Sequence, residues 1–141
     1  MSVGTNNPPY IPPIDPGDGV VGGAEAVVTP EIPTGEILGG QRVVISGADG
    51  KLYTADSSDV SHIGKVLGIT RQAYLAGVDG EVISGGTFED PSFSFTPSEK
   101  LYFDAAGVLT HSIPTTGFVQ VMGHAISSTK IFIAMKTPVI L

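Results

Sequence analysis

From Ile37 onward, apolar and polar residues alternate in short runs that are separated by turn residues. Residues 43–45 are β-branched, Asp49-Gly50 supplies turn chemistry, and Leu52–Thr54 continues the alternation, which predicts a β-hairpin. Runs of the same kind recur along the rest of the chain. They predict further strands at Val66–Thr70, 81–84, 92–95, 101–103, 108–111, 118–122 and 130–135. Short strands repeated about every 8–12 residues are typical of an all-β fold, either a small β-barrel or a sandwich-like domain of antiparallel strands.

Helical signals are weak. The segment 70–77, closed by Gly77, is the best candidate, and it is short enough to be a loop or a single turn. The Ser-rich segment around residues 58–65 is explained as well by a link between strands.

The two halves of this region resemble each other. Gly50-Lys51-Leu52-Tyr53-Thr54 is similar to Gly107-Val108-Leu109-Thr110, and Val66-Leu67-Gly68-Ile69 is similar to Val121-Met122-Gly123-His124. Two related half-barrels would give this pattern, and so would chance in a chain rich in Gly and Val. Glycines inside strand patterns predict bulges or tight bends at Gly68 and Gly123.

Residues 1–36 differ in composition and predict an extended N-terminal arm that precedes a β-barrel-like domain at 37–141. This segment holds seven of the eleven prolines and no Lys or Arg, and it contains the stretch NNPPYIPPIDPGDGVVGG. Proline favours extended backbone and donates no hydrogen bond, so one short strand at 26–29 is all that the pattern predicts here.

Large apolar side chains within this Pro- and Gly-rich segment indicate a binding role. An extended arm can add a strand to another sheet while its side chains fill pockets. The predicted anchors, which would contact another protein chain or a sister subunit, are Tyr10, Ile11, Ile14, Val20 and Val21. A free tail or a linker is the alternative.

The charge balance excludes several partners. The net charge is −7, and the seven Lys and Arg are dispersed singly, so no basic patch predicts nucleic-acid binding. No apolar run is long enough to predict a membrane span, and the first residues do not have the pattern of a secretory signal, so we expect synthesis in a cytoplasm.

Charged residues are 15% of the chain, against roughly 25% in typical soluble domains. This low content favours a surface that is partly covered by partner chains, although an all-β domain can also cover itself with Thr, Ser and Gly.

No motif indicates catalysis, and we expect neither an enzyme nor a cofactor or metal site. The chain has no Cys, which removes disulfides and thiolate chemistry. His62, His111 and His124 do not have metal-ligand spacing, and His124, in an apolar strand, is expected to be half buried. Glu89-Asp90 before Pro91 is ordinary turn chemistry.

The aromatic residues favour a core or an interface. In the predicted strand 92–95, Phe93 and Phe95 point to one face and Ser92 and Ser94 to the other. Phe93 and Phe95 therefore face either the core or a neighbouring subunit.

The strand and turn signals resemble those of capsid decoration, or cement, proteins of tailed bacteriophages. The resemblance covers residues 37–141 and lies in Gly39-Gly40, 43–45, Asp49-Gly50-Lys51, Val66-Leu67-Gly68-Ile69, and Ala76-Gly77 through Gly80-Glu81-Val82. The segment 101–135 also resembles C-terminal segments of phage virion and head-fibre proteins. The resemblance implies a homotrimer that binds the major capsid protein on the outer surface of the virion and stabilises the shell without catalysis.

Two other readings stay open. A head-fibre or tail-fibre module would bind a host receptor or glycan, for which Tyr74, Tyr102 and Asp104 are candidate residues. The other alternative is an enzyme or a cellular binding domain, which no sequence feature marks.

Overall fold

The structure is a computed structural model that describes residues 25–141. The predicted arm anchors Tyr10, Ile11, Ile14, Val20 and Val21 lie outside the described residues. Their role stays a prediction.

The all-β prediction is confirmed within the described part of the chain. Its regular elements are short strands and one 3₁₀ turn at Val60–His62. The strands are β1 Val27–Val28, β2 Ile32–Pro33, β3 Val43–Ser46, β4 Leu52–Thr54, β5 Val66–Thr70, β6 Asp79–Gly80, β7 Val82–Glu89, β8 Lys100–Phe103, β9 Leu109–Thr110, β10 Phe118–Val119, β11 Gly123–Ala125, β12 Lys130–Ile133 and β13 Val139–Ile140.

Most of these strands form one curled antiparallel sheet, a half-barrel, with the order β9-β8-β11-β12-β7-β5-β3-β4. Strand β1 adds to β7 beside β12, while β2 pairs with β6 and β10 pairs with β13. The curl brings the turn before β9 onto β3, where the Val43 N–H donates to the Gly107 carbonyl at 2.8 Å. The sheet thereby encloses an interior between its two ends.

The sheet repeats one pattern of pairing in its two halves. In the first half β3 pairs with β4 and β5, and β5 pairs with β7; in the second half β8 pairs with β9 and β11, and β11 pairs with β12. The two halves meet where β7 pairs with β12. This common connectivity supports the hypothesis of two related half-barrels.

The register repeats as well as the connectivity. Val44 lies opposite Gly68 in the first half, and Leu101 lies opposite Gly123 in the second. Two pairs of hydrogen bonds match between the halves. Thr70 N–H donates to Arg42 O at 2.9 Å in the first half, as Ala125 N–H donates to Glu99 O at 3.0 Å in the second. In the same way, Gly47 N–H donates to Lys51 O at 2.8 Å, and Asp104 N–H donates to Val108 O at 3.1 Å. These equivalent contacts join the same segments whose sequences are similar.

At Gly68 and Gly123 the backbone of a neighbouring strand approaches closely. Their φ angles are +147° and +149°, a region that L side chains rarely adopt. A Cβ at Gly68 would overlap the carbonyl oxygen of Ile83, and one at Gly123 would overlap that of Phe132. The register also shifts between Val44 and Ile45, opposite Gly68, so the predicted bulge is found there.

The main core fills the interior of the curled sheet. It is built from side chains of both halves: Val43, Ile45, Ala55, Ile69, Ile83, Leu101, Phe103, Leu109, Phe118, Met122, Ile131 and Ile133. A smaller second cluster lies on the outer face of the first half, where Leu38 covers Val44, Leu52 and Val82. The first half-sheet is therefore buried on both faces.

The segment 25–36 belongs to the fold although it lies within the predicted arm. Strand β1 confirms the strand predicted at 26–29, and β2 pairs with β6 beyond it. Thr34 is buried, and its hydroxyl donates to the carbonyl oxygens of Leu75 and Val78. Residues 25–36 thus pack on the domain of their own chain.

One predicted strand is replaced by a loop, and the weak helical candidate is a loop as well. Residues 92–95 do not form the expected strand, because an Asp90 turn and the flanking Pro91 and Pro97 interrupt a ladder of hydrogen bonds. The segment 70–77 is the loop alternative rather than a helix, since Thr70 ends β5 and Tyr74 bridges to Leu38.

Candidate interaction surfaces

The loop between β7 and β8 carries an aromatic cluster. The rings of Phe93 and Phe95 lie 5.0 Å apart, Phe93 also meets Phe88 at 6.1 Å, and Phe95 meets His111 at 5.4 Å. Both predicted interface residues are half buried and pack against the main core. They share one side of the loop, with Ser92 and Ser94 exposed, so only their outer edges remain available to a sister subunit.

The Asp90 carboxylate holds the turn that starts this loop. The Ser92 hydroxyl and the Ser92 N–H donate to Asp90 Oδ1 at 2.6 and 2.8 Å, and the Asp90 carbonyl accepts from Phe93 N–H at 3.1 Å. These two hydrogen bonds from Ser92 lower the pKa of the Asp90 carboxyl below its ordinary value of 3.8. The bond from the Ser92 hydroxyl has the larger effect, and the bond from the Ser92 N–H has the smaller one.

This lowered pKa predicts a pH dependence of the aromatic loop. Because the folded-state pKa of Asp90 lies below the unfolded value, its stabilising contribution is complete above pH 3.8 and is lost as the pH falls through the folded pKa. We expect Ser92→Ala to raise the pKa of Asp90 toward 3.8, measured by NMR titration of the carboxyl carbon. Asp59, whose pKa is lowered by Ser61, is the internal control and should not move. An unchanged Asp90 titration in Ser92→Ala would refute this assignment.

The histidines have structural partners rather than a common site. Thr96 N–H donates to His111 Nε2 at 2.9 Å, so His111 Nδ1 carries the proton and donates to the Lys100 carbonyl at 2.8 Å. His62 Nδ1 accepts from Asp56 N–H at 3.0 Å. The expectation that His124 is half buried is wrong: β11 alternates buried, exposed, buried, and His124 takes the outward position.

An apolar surface lies on a two-stranded ribbon at the outside of the first half. Residues 32–38 pair with 74–80 through β2·β6 and the bridge between Leu38 and Tyr74. Ile37 and Leu75 are 71% and 70% exposed, and Val78 on the same ribbon is also exposed. We call Ile37, Leu75 and Val78 the ribbon surface. Its backbone is held by Leu38 N–H to Tyr74 O and Tyr74 N–H to Leu38 O, both at 2.9 Å.

A second apolar surface lies on β13. Val139 and Ile140 pair with Val119 and Phe118, and all of the large side chains from Val139 to Leu141 are exposed. Leu141 N–H still donates to the Gly117 carbonyl at 3.0 Å, which fixes the backbone at this edge.

A groove crosses the outer face of the second half-sheet. It is lined by Ser98, Lys100, Val121, Gly123, His124, Phe132, Ala134 and Lys136 and has a volume of about 350 Å³. Cross-strand pairing places Lys100 beside His124 and His124 beside Phe132. We call it the basic groove, because apolar side chains form its floor and cationic or titratable ones stand on its sides. No sequence motif predicts this groove, because its lining residues are dispersed along the chain.

A hydroxyl-rich cleft lies beside the β8–β9 turn. Asp104, Thr110, Ser112 and Thr116 are among the residues that line its volume of about 390 Å³. Of the glycan candidates, Asp104 lines this cleft. Tyr74 instead packs against the second cluster, and its hydroxyl accepts from Glu81 N–H at 2.9 Å.

Across residues 25–141, no three His, Asp or Glu side chains are grouped so that they could hold a metal ion. The same residues contain no helix with the length and hydropathy needed to cross a membrane.

Comparison with known protein families and with curated proteins gives no match for this chain.

Proposed function

We propose that this protein is a structural component of a bacteriophage virion that decorates the outer capsid surface and stabilises it by bridging capsomers. The proposal rests on the resemblance of the 37–141 strand pattern to decoration proteins and on the exposed apolar side chains of a rigid β-domain. The major capsid protein is the proposed partner, and the proposed oligomer is a homotrimer. It would be made in the host cytoplasm and act on the virion.

The ribbon surface is the single observation that carries the proposal furthest. Exposed Ile37 and Leu75 are neighbours on paired backbone, so burying them against another protein removes apolar area from water without ordering a flexible loop. Buried Leu38 and Thr34 fix the ribbon from beneath. Such a surface suits a protein–protein contact.

The N-terminal arm would add a second contact. Tyr10, Ile11 and Ile14 are the proposed anchors on the shell or on sister subunits. Several weak contacts in one trimer reinforce each other, because binding by one subunit raises the effective concentration of the others.

The ribbon surface can be tested by charge insertion. We expect Ile37→Asp with Leu75→Asp to weaken binding to undecorated capsids at least about tenfold, because two unpaired carboxylates would have to be desolvated in the contact. The unfolding midpoint should change little, since both side chains are exposed. Capsid co-sedimentation and urea unfolding measure the two effects.

Val60→Asp is the matched control for this experiment, because Val60 is also an exposed apolar residue but lies on the 3₁₀ turn. It should bind capsids like the unchanged chain. Capsid binding that is equal in all three proteins would exclude the ribbon surface as the contact.

The alternative function is a head-fibre or tail-fibre module that binds a host receptor or glycan. The hydroxyl-rich cleft with Asp104 favours it, since sugars are recognised by hydroxyl and carboxylate partners. Binding to host cells or polysaccharide that is abolished by Asp104→Ala, together with no binding to capsids, would select this alternative.

A further inference from the structure

We propose that the basic groove binds the N-terminal segment of its own chain, residues 10–21. This intramolecular contact does not depend on the proposed capsid function. It assigns an occupant to a groove whose floor and charges are formed by the described residues.

The two halves of the sheet are covered unequally. On the outer face of the first half, Leu38, Ile32 and Tyr74 cover Val44 and its neighbours. On the outer face of the second half, Phe132 and Val121 line an open groove, and both side chains are partly exposed. Because segment 32–38 supplies the cover in the first half, the preceding segment of the chain is the natural candidate for the second.

The charges of the groove and of the segment are complementary. Lys100 and Lys136 stand at the groove, and neither has a carboxylate partner among the described residues. Residues 1–24 contain Asp15 and Asp18 but no Lys or Arg. A segment with two carboxylates between apolar side chains fits a groove with an apolar floor and cationic sides.

The point where the segment joins the fold lies near the groove. The Glu25 carbonyl oxygen lies in the space that a Cβ at Gly86 would occupy, and Gly86 pairs with Ile133 on β12. The next residue, Ala134, lines the groove. Three residues lie between Val21 and Glu25, so the four Cα–Cα steps allow a span of about 13 Å, more than twice the strand spacing of about 4.8 Å. Gly22 and Gly23 lie within this connection and can adopt backbone angles that permit a sharp reversal.

The size of the groove is also suitable. Its volume of about 350 Å³ lies within the range of roughly 300–1,000 Å³ in which proteins bury small ligands. It accommodates a few large side chains of the Tyr10–Val21 stretch rather than the whole segment. If the segment also contacts a capsid or a sister subunit, that contact competes with the groove.

Cysteine cross-linking in the full chain tests this proposal, because the protein has no Cys of its own. One cysteine replaces Gly17, which lies between Asp15 and Asp18 in the sequence (Gly17→Cys). The second replaces Ser98, which lines the groove (Ser98→Cys), so that both groove lysines stay in place. The control pairs Gly17→Cys with Glu31→Cys, an exposed position closer along the chain. We expect the groove pair to oxidise at least about tenfold faster than the control and to give a single-chain product on a denaturing gel. Equal rates, or a product that is a cross-linked dimer, would overturn the assignment to the chain's own groove.

A fluorescence measurement gives an independent readout. The chain has no Trp, so Phe132→Trp places one fluorophore on the groove floor. Adding Asp15→Lys with Asp18→Lys should shift its emission to longer wavelength, since the groove is then exposed to water. The control reverses two exposed carboxylates elsewhere, Glu31→Lys with Asp79→Lys, and should leave the emission unchanged. The proposal is contradicted if charge reversal at Asp15 and Asp18 leaves the emission unchanged. It is also contradicted if the control substitutions shift the emission by the same amount.

Discussion

Replacing Gly123 by alanine is expected to destabilise the fold by at least about 3 kcal/mol, the combined scale of a strained backbone and an overpacked contact. The residue has a φ of +149°, and an added Cβ would overlap the Phe132 carbonyl oxygen on the paired strand. Backbone atoms cannot move aside as a flexible side chain can. Strands β11 and β12 would have to separate at the centre of the second half-sheet.

Gly64→Ala is the matched control for this substitution. Gly64 also has a positive φ, +81°, but nothing lies within 4 Å of the position that its Cβ would occupy. The backbone penalty alone should then cost about 1 kcal/mol. Urea unfolding of both variants measures the difference, and equal losses would show that the close approach at Gly123 contributes nothing.

Phe103→Ala is expected to cost about 3–5 kcal/mol, as truncation of a fully buried aromatic ring does. The Phe103 side chain is 1% exposed and meets the Phe118 ring edge-to-face at 5.8 Å. These two residues join β8 to β10 across the main core, so the cavity would lie where the second half closes. Chemical denaturation is the measurement.

Tyr102→Ala provides the comparison, because Tyr102 is the neighbour of Phe103 on the same strand but faces outward and is half exposed. Its truncation should cost clearly less. Losses of the same size at Phe103 and Tyr102 would contradict the placement of the main core on the inner face.

The strands that could be predicted are those whose signals are local. Leu52–Thr54 and Val66–Thr70 are found at their predicted bounds, because a turn or a polar link ends each apolar run on both sides. The resemblance between the halves was also visible, since Gly68 and Gly123 occupy the same position in similar runs. The close approach of strands at these positions explains why glycine stands in both.

The elements that could not be predicted depend on distant partners. Strand β2 contains Pro33 and has weak intrinsic β propensity, yet it pairs with β6 more than 40 residues later. Residues 92–95 have the alternation of a strand, but Asp90 and the two prolines direct their backbone into a loop. The alternation of apolar and polar residues predicts that Phe93 and Phe95 lie on the same side of the segment. It does not predict whether their backbone pairs with another strand.

The basic groove illustrates the same limit for a site. Lys100, His124 and Lys136 are dispersed in the sequence, and only the order β8-β11-β12 brings them to one face. The signal available in the sequence was the outward position of Lys100 and Tyr102 in the run KLYF. Without the strand order, that signal does not show what lies beside it.

Because residues 25–36 form strands that pack on the domain, the arm should be removed in an experiment by a cut before this segment. A cut at residue 37 would take away β1 and β2 and expose the second cluster. A cut before Glu25 keeps every described contact and removes the predicted anchors.

The most direct test of the central claim is the binding of the full chain to undecorated capsids, measured by co-sedimentation alongside its mass in solution by light scattering. The account predicts a mass of three chains and saturable binding that raises the resistance of the capsid to heat. It also predicts weaker binding for residues 25–141. A protein that stays a monomer and does not sediment with the capsids would contradict it.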